Sequence, residues 1–189
     1  MRFTCVMWYW SGPLATLMEK RTMPSASPLV CLLARNHQNV PLMSELADLY
    51  QEIILDHHKR PRNFRELPEC TCSAEGRNPL CGDEVKVFVR LEGKSLSDVT
   101  FQGQGCAISR ASASMMTGKT RGKTEGEARG LSLRVREMLL GPECEPPGEL
   151  GDLAALSGLR KFPARIKCAM LPWHALEAAL SGRPEATTK

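Results

Sequence analysis

Val85-Lys86-Val87-Phe88-Val89-Arg90-Leu91-Glu92-Gly93-Lys94 is the stretch on which the fold turns. Val85, Val87, Val89 and Leu91 alternate with Lys86, Phe88 and Arg90, the period of a half-buried strand whose successive side chains face opposite ways. Glu92-Gly93-Lys94 reads as a turn, and Val99 and Phe101 resume the alternation beyond it, so an antiparallel hairpin is predicted. Leu67 to Ser73 is expected to add a third strand.

On either side the period changes to that of helices. From Ser44, a candidate cap, Leu46, Leu49, Tyr50, Ile53 and Ile54 fall on one stripe, and Pro61 ends the run. After Gly103-Gln104-Gly105 the residues are small and helix-tolerant from Ala107 to Thr117, so Cys106 stands at the mouth of a helix. A further helix is predicted from Glu125 to Leu140, with Ala128, Leu131, Val135 and Met138 inward, and Gly141 to Gly148 reads as a loop. The last helix follows Phe162-Pro163, with Ile166, Met170 and Trp173 at core spacing, and Pro172 is expected to kink or restart it. These elements predict an α+β domain, a small antiparallel sheet of about three strands flanked by helices.

At 189 residues the chain accommodates one domain with tails. Residues 43–182 carry the patterned elements, 183–189 read as a flexible tail, and 1–42 as a poorly structured extension broken by Pro13, Pro24, Pro28 and Pro41. Met43 is expected to be the natural start of translation, and Cys5, Cys31 and His37 in the extension are given no role. The net charge of +4 is mild and the basic residues are scattered without interleaved aromatics, which argues against nucleic acid. No stretch reaches the roughly 20 apolar residues that span a bilayer, so no membrane is expected. The apolar run Phe3 to Trp10 is cut short by Gly12-Pro13 and makes a poor export signal. Eight cysteines in such a chain are therefore read as ligands or nucleophiles in a reducing cytoplasm.

Three of those cysteines stand at element junctions: Cys81 before the first clear strand, Cys106 after the hairpin, and Cys168 in the final helix. Asp83 follows Cys81 by two residues, and Gly82 gives the turn the backbone freedom to aim both side chains at one point. Three thiolates and a carboxylate suit tetrahedral zinc. Taken singly each cysteine reads as a small buried apolar residue. With Asp83, and with glycines leading to two of them, a shared metal site is the better account.

Asn78-Pro79-Leu80-Cys81-Gly82-Asp83, Gly103-Gln104-Gly105-Cys106-Ala107-Ile108-Ser109, Ala111-Ser112-Ala113-Ser114-Met115-Met116 and Phe162-Pro163-Ala164-Arg165-Ile166-Lys167-Cys168 together resemble the SufU branch of the IscU/NifU scaffold superfamily. Leu49-Tyr50 through Asp56-His57-His58-Lys59-Arg60-Pro61-Arg62-Asn63 is similar too, so the resemblance covers about three quarters of the chain in order. IscU-type scaffolds carry His before the last cysteine and a Leu-Pro-Pro-Val-Lys loop upstream; here Lys167 and Lys161-Phe162-Pro163-Ala164-Arg165-Ile166 stand instead. The interval from Cys106 to Cys168 is also longer, and the surplus around Thr120 to Leu159 is similar to the SufU insertion.

The resemblance implies a SufE/NifU-like fold, zinc held by Cys81, Asp83, Cys106 and Cys168, and a sulfurtransferase that works with a SufS-type cysteine desulfurase and is not a stand-alone enzyme. It further implies that Cys81 leaves the metal and accepts persulfide sulfur for iron–sulfur cluster assembly, with a SufBCD-type complex as a downstream partner. The same thiolates suit the alternative of a scaffold carrying a transient [2Fe–2S] cluster or iron. A further alternative is a non-catalytic, zinc-stabilised interaction domain, against which Asp83 speaks, since closed structural sites use Cys and His.

The other polar candidates are weighed more plainly. Arg165 and Lys167 either steer an acidic partner and support the thiolates or form the solvated face of a helix. His57 and His58 close the first helix before Lys59-Arg60 and are expected to cap it or lie at the surface. His174 is out of helical register with Cys168 and is expected at the surface. Cys70 and Cys72 are expected on one strand face as half-buried small residues, with a second thiol site or an oxidised pair as the alternative, and Cys144 is read as incidental.

Overall fold

Extended backbone from Asp83 and a return from Ser95 close on each other through Gly93, which takes the left-handed conformation (φ 63°) that a tight turn requires. The computed structural model describes residues 40–141 and 148–188. In chain order these form α1 (Val40–Lys59), β1 (Cys72–Asn78), β2 (Asp83–Glu92), β3 (Ser95–Gln104), α2 (Ala107–Thr120), α3 (Glu125–Leu140), a 3-10 segment (Gly148–Lys161), α4 (Pro163–Leu180) and β4 (Glu185–Thr187). The readings of Met1 to Asn39 and of Cys144 lie outside the described residues.

The hairpin register sets Val87 against Phe101 and Val89 against Val99, and Val85, Val87 and Val89 are buried as their alternation demands. Phe88 was expected on the solvent face but is buried as well, with the Lys86 ammonium 5.3 Å from its ring centre. The third strand comes later than expected, at Cys72–Asn78, and pairs antiparallel with β2 from Cys72↔Val89 to Asn78↔Asp83. Its sequence hides it: Gly76 sits in mid-strand because α4 crosses there, and an added Cβ would lie 3.1 Å from Leu171 Cδ1 and 3.2 Å from Ala175 Cβ. The residues expected to form a flexible tail supply β4, which pairs parallel with β1 through Gly76↔Ala186. The sheet is thus mixed and four-stranded, in the order β3-β2-β1-β4.

α4 packs across β1 and β2, and α2 fills the space between α4 and α1. The predicted α3 runs from Glu125 to Leu140 with Ala128, Leu131, Val135 and Met138 buried, and Thr124 and Glu127 form a reciprocal capping box at its start. α1 is already helical at Val40, so Ser44 falls inside the helix and not at its start. The stretch after the loop, which showed no helical period, carries Leu150, Leu153, Leu156 and Leu159 at every third residue, all buried. Three residues per turn is the 3-10 period, and the segment bends at Gly151 (φ 55°). Pro172 does not restart α4, which runs unbroken to Leu180 with Pro172 itself buried. Packing on both sides offsets the cost of about 3 kcal/mol that an interior proline carries.

His57 corrects the expectation of a surface or capping role: it is 3% exposed. Its Nδ1 lies 2.8 Å from Ser114 Oγ on α2, and its Nε2 lies 3.5 Å from Asp152 Oδ2 and against the Arg62 guanidinium. Burial, then the Arg62 charge, push this imidazole below its ordinary pKa, against the pull of Asp152 and Asp56. The unfolded chain therefore takes up the proton first. The stability that neutral His57 contributes is complete above the ordinary value of 6.5 and is lost as pH falls below it.

Two outcomes are expected. Urea midpoints should fall between about pH 7 and about pH 5, and His57→Gln should flatten that slope; an unchanged slope would remove His57 as its source. At Gly103 (φ 147°), a Cβ would run into the Glu84 carbonyl and lie 2.9 Å from Val85 Cα. Gly103→Ala is expected to cost about 3 kcal/mol or more in urea unfolding.

Candidate metal centre

Three ends of regular structure meet at one corner of the sheet. β1 ends at Asn78, Pro79 to Gly82 make a turn, and Asp83 opens β2. The Cys81 and Gly82 N–H groups both donate to the Asn78 carbonyl, at 3.2 and 2.9 Å, and Gly82 takes the left-handed conformation (φ 67°) expected of it. Across the hairpin, Glu84 pairs with Gln104, so the chain leaving β3 passes beside Asp83. Gly105 makes that passage close: a Cβ there would meet Asp83 Cγ at 3.0 Å.

Cys106 is the N-cap of α2, as its position at the mouth of that helix suggested, and its sulfur accepts from Ser109 N at 3.5 Å. Its own N–H donates to Asp83 Oδ1 at 2.9 Å. α4 brings Cys168, fully buried, so that its sulfur lies 3.3 Å from Cys81 Sγ. Ligand atoms of Cys81, Asp83 and Cys168 lie within 4.8 Å of one another. Cys106 lies next to this triad, joined to it by its bond to Asp83, and its charge helps to raise the Cys168 pKa.

The electrostatics of the cluster bear on what it can hold. Burial pushes the Cys168 thiol far up from its ordinary pKa, followed by hydrogen bonding to Cys81 and the charge of Cys106. Asp83 is 2% exposed, and its Oδ2 is buried without a hydrogen-bond partner. A buried carboxylate oxygen left unpaired is costly unless a cation faces it. A divalent ion among these groups reverses the balance, since it favours thiolate over thiol and gives Oδ2 a partner. Soft sulfurs with one hard oxygen are a donor set suited to zinc.

Around the cluster, Arg165 is exposed and Lys167 half-buried on the first turns of α4, and neither has an ion-pair partner among the described residues. Leu80 and Phe162, on the turn and at the start of α4, are large apolar residues left 68% and 57% exposed. Cys72 opens β1 and Cys70 lies before it, outside any strand, so the two do not share a strand face as expected; both are half-buried, and burial, then Cys70, pushes the Cys72 thiol up. His174 is half-buried where a surface position was expected, and burial pushes its imidazole pKa down. His58 is also half-buried, with a buried Nδ1 that has no partner. The residue that sequence reasoning passed over is Asn78. An asparagine two residues before a turn N–H is a known signal for a side-chain-closed turn.

A zinc-dependent sulfurtransferase SufU of Bacillus subtilis is 43% identical over 138 residues, covering 73% of this chain and 93% of that one. An iron–sulfur cluster assembly scaffold protein IscU of Streptococcus pyogenes is 40% identical over 73% of this chain and 86% of its own length. The crystal structure of an iron–sulfur cluster assembly scaffold protein for the SUF system, from Fervidobacterium islandicum, superposes with a TM-score of 0.64 at 36% identity, over 68% of this chain and 94% of that one. No described helix is long and apolar enough to cross a membrane. The model of the NifU-like N-terminal domain matches residues 49–182, and this chain belongs to that iron–sulfur cluster assembly family.

Proposed function

We propose that this chain is a zinc-dependent sulfur carrier that accepts persulfide sulfur from a SufS-type cysteine desulfurase and delivers it to a SufBCD-type assembly complex. The observation that carries the reading is the unequal setting of two touching thiols: Cys81 is exposed on a glycine turn, while Cys168, 3.3 Å away, is fully buried in a helix. One can move and the other is held. Cys81, Asp83, Cys106 and Cys168 would hold the zinc. When bound, zinc keeps the cysteines deprotonated near neutral pH.

The Cys81 thiolate attacks the outer sulfur of the desulfurase persulfide. A new sulfur–sulfur bond forms at Cys81, the bond within the donor persulfide breaks, and the desulfurase cysteine departs as a thiolate. No net oxidation is involved. The cations of exposed Arg165 and half-buried Lys167 suit an acidic rim on the partner. The 43% identity to a chain named as a zinc-dependent sulfurtransferase supports this reading, as does Lys167 in the place where IscU-type scaffolds carry His.

The test couples metal analysis to a desulfurase assay. Zinc bound in stoichiometric amount, with faster desulfurase turnover, is the expected result; iron with labile sulfide and no stimulation would establish the scaffold alternative instead. Cys81→Ala is expected to bring stimulation down to the rate of the desulfurase alone, and full stimulation by that variant would end the assignment. Asp83→Cys should retain zinc more tightly against a chelator while slowing transfer, because four thiolates make a closed site. Faster transfer by Asp83→Cys would contradict the role given to the carboxylate.

A further inference from the structure

Asn78 is the last residue of β1 and only 1% exposed, yet outside the sheet ladder it makes four hydrogen bonds, all serving the metal centre. Its side-chain oxygen accepts from Leu80 N at 3.2 Å, and its main-chain carbonyl accepts from Cys81 N and Gly82 N. Every N–H along the turn from Leu80 to Gly82 therefore ends on Asn78, with Cys81 at the exposed apex. The carboxamide Nδ2 donates to Cys168 Sγ at 3.5 Å.

The candidate ligands divide when their own donors are compared. Cys168 Sγ receives Asn78 Nδ2, Cys106 Sγ receives Ser109 N, and Asp83 Oδ1 receives Cys106 N. No N–H donor reaches Cys81 Sγ among the described residues; its sulfur contact is the Cys168 thiol. An N–H bond to a sulfur withdraws electron density from it, which makes it a poorer nucleophile and orients it as a ligand. Three ligands are thus each held by an N–H from outside the metal, and one is left without.

We propose that Asn78 is the positioning residue that decides which cysteine is free to react: its amide restrains Cys168 while its oxygens anchor the base of the Cys81 turn. The proposal deepens the sulfur-transfer reading and rests on it for its purpose, since that reading requires one ligand to move and the others to stay. Asn78 itself touches no reacting atom. It acts through Cys168 and through the turn.

The test uses the zinc-loaded full chain and iodoacetamide, with peptide mapping to read which cysteine is alkylated. The wild-type chain is expected to favour Cys81 over Cys168. Asn78→Asp keeps the size and the acceptor for Leu80 N but loses the donor to sulfur. It should lower the Cys81-to-Cys168 preference, and zinc retention against a chelator, by roughly tenfold. Asn78→Ser serves as the uncharged second variant, short of the sulfur but able to close the turn, and should lose the preference likewise. In cobalt-substituted protein both variants should shift the sulfur-to-metal charge-transfer band, which a defect of stability alone would leave in place.

Asn78→Gln, which retains the amide, should recover part of the selectivity. Wild-type selectivity and an unmoved band in either folded variant would overturn the proposal. Selectivity is read without a desulfurase, so the two readings can fail separately. A chain whose Cys81 preference depends on Asn78, yet which stimulates no desulfurase, would support this role and refute sulfur transfer.

Discussion

The bond from the Cys106 N–H to Asp83 Oδ1 joins the start of β2 to the start of α2, and the site depends on it. It forms because the hairpin register sets Glu84 opposite Gln104, which leaves Asp83 one residue and Cys106 two residues beyond that pair on adjacent strands. A slip of one residue would exchange the faces of β3, turning Val99 and Phe101 outward and carrying Cys106 away from the carboxylate. The buried valines of β2 therefore do more than build a core. By fixing the register they fix the distance between two ligands that are far apart in sequence, and Gly105 allows the approach.

Much of this was legible in the sequence, and the misses have physical causes. The hairpin, α3 and the inner face of α4 announced themselves because each buries one face at a regular period. β1 did not, since Cys-Ser-Ala-Glu-Gly-Arg-Asn has no apolar alternation; α4 lies so close that the strand presents Gly76 and Ala74 in place of larger residues. β4 was missed because a three-residue strand has too few side chains to show a period. The leucines from Leu150 to Leu159 did carry a signal, but at a spacing of three, which matches neither the α-helical stripe nor strand alternation.

The candidate ligands were legible for a different reason. Cysteine and aspartate beside glycine at element ends are informative whatever lies between them, and three of the four then fell within 4.8 Å. What the sequence could not show is the difference between them. Cys81 and Cys168 are the same residue type, and only the fold makes one exposed at a turn and the other fully buried. His57 makes the same point. Its place before Lys59-Arg60 suggested a helix end in water, whereas the 3-10 segment and α2 close over it and supply Asp152 and Ser114.

The buried polar groups near the centre form a graded support. Trp173 donates to Ser112 Oγ, and Ser112 donates to the carbonyl of Ala169, the neighbour of Cys168. Pro172 has no N–H to offer the carbonyl of Cys168, so the turn carrying this ligand lacks an intrahelical bond that an ordinary helix would have. The Ser112 bond to Ala169 and the Asn78 bond to Cys168 Sγ tie that same turn to α2 and to β1. A helix weakened at its ligand is thereby held from both sides by its neighbours, while the N–H groups of the turn that carries Cys81 all bond to its base at Asn78. Stiffness on one side of the cluster and freedom on the other follow from where these hydrogen bonds were placed.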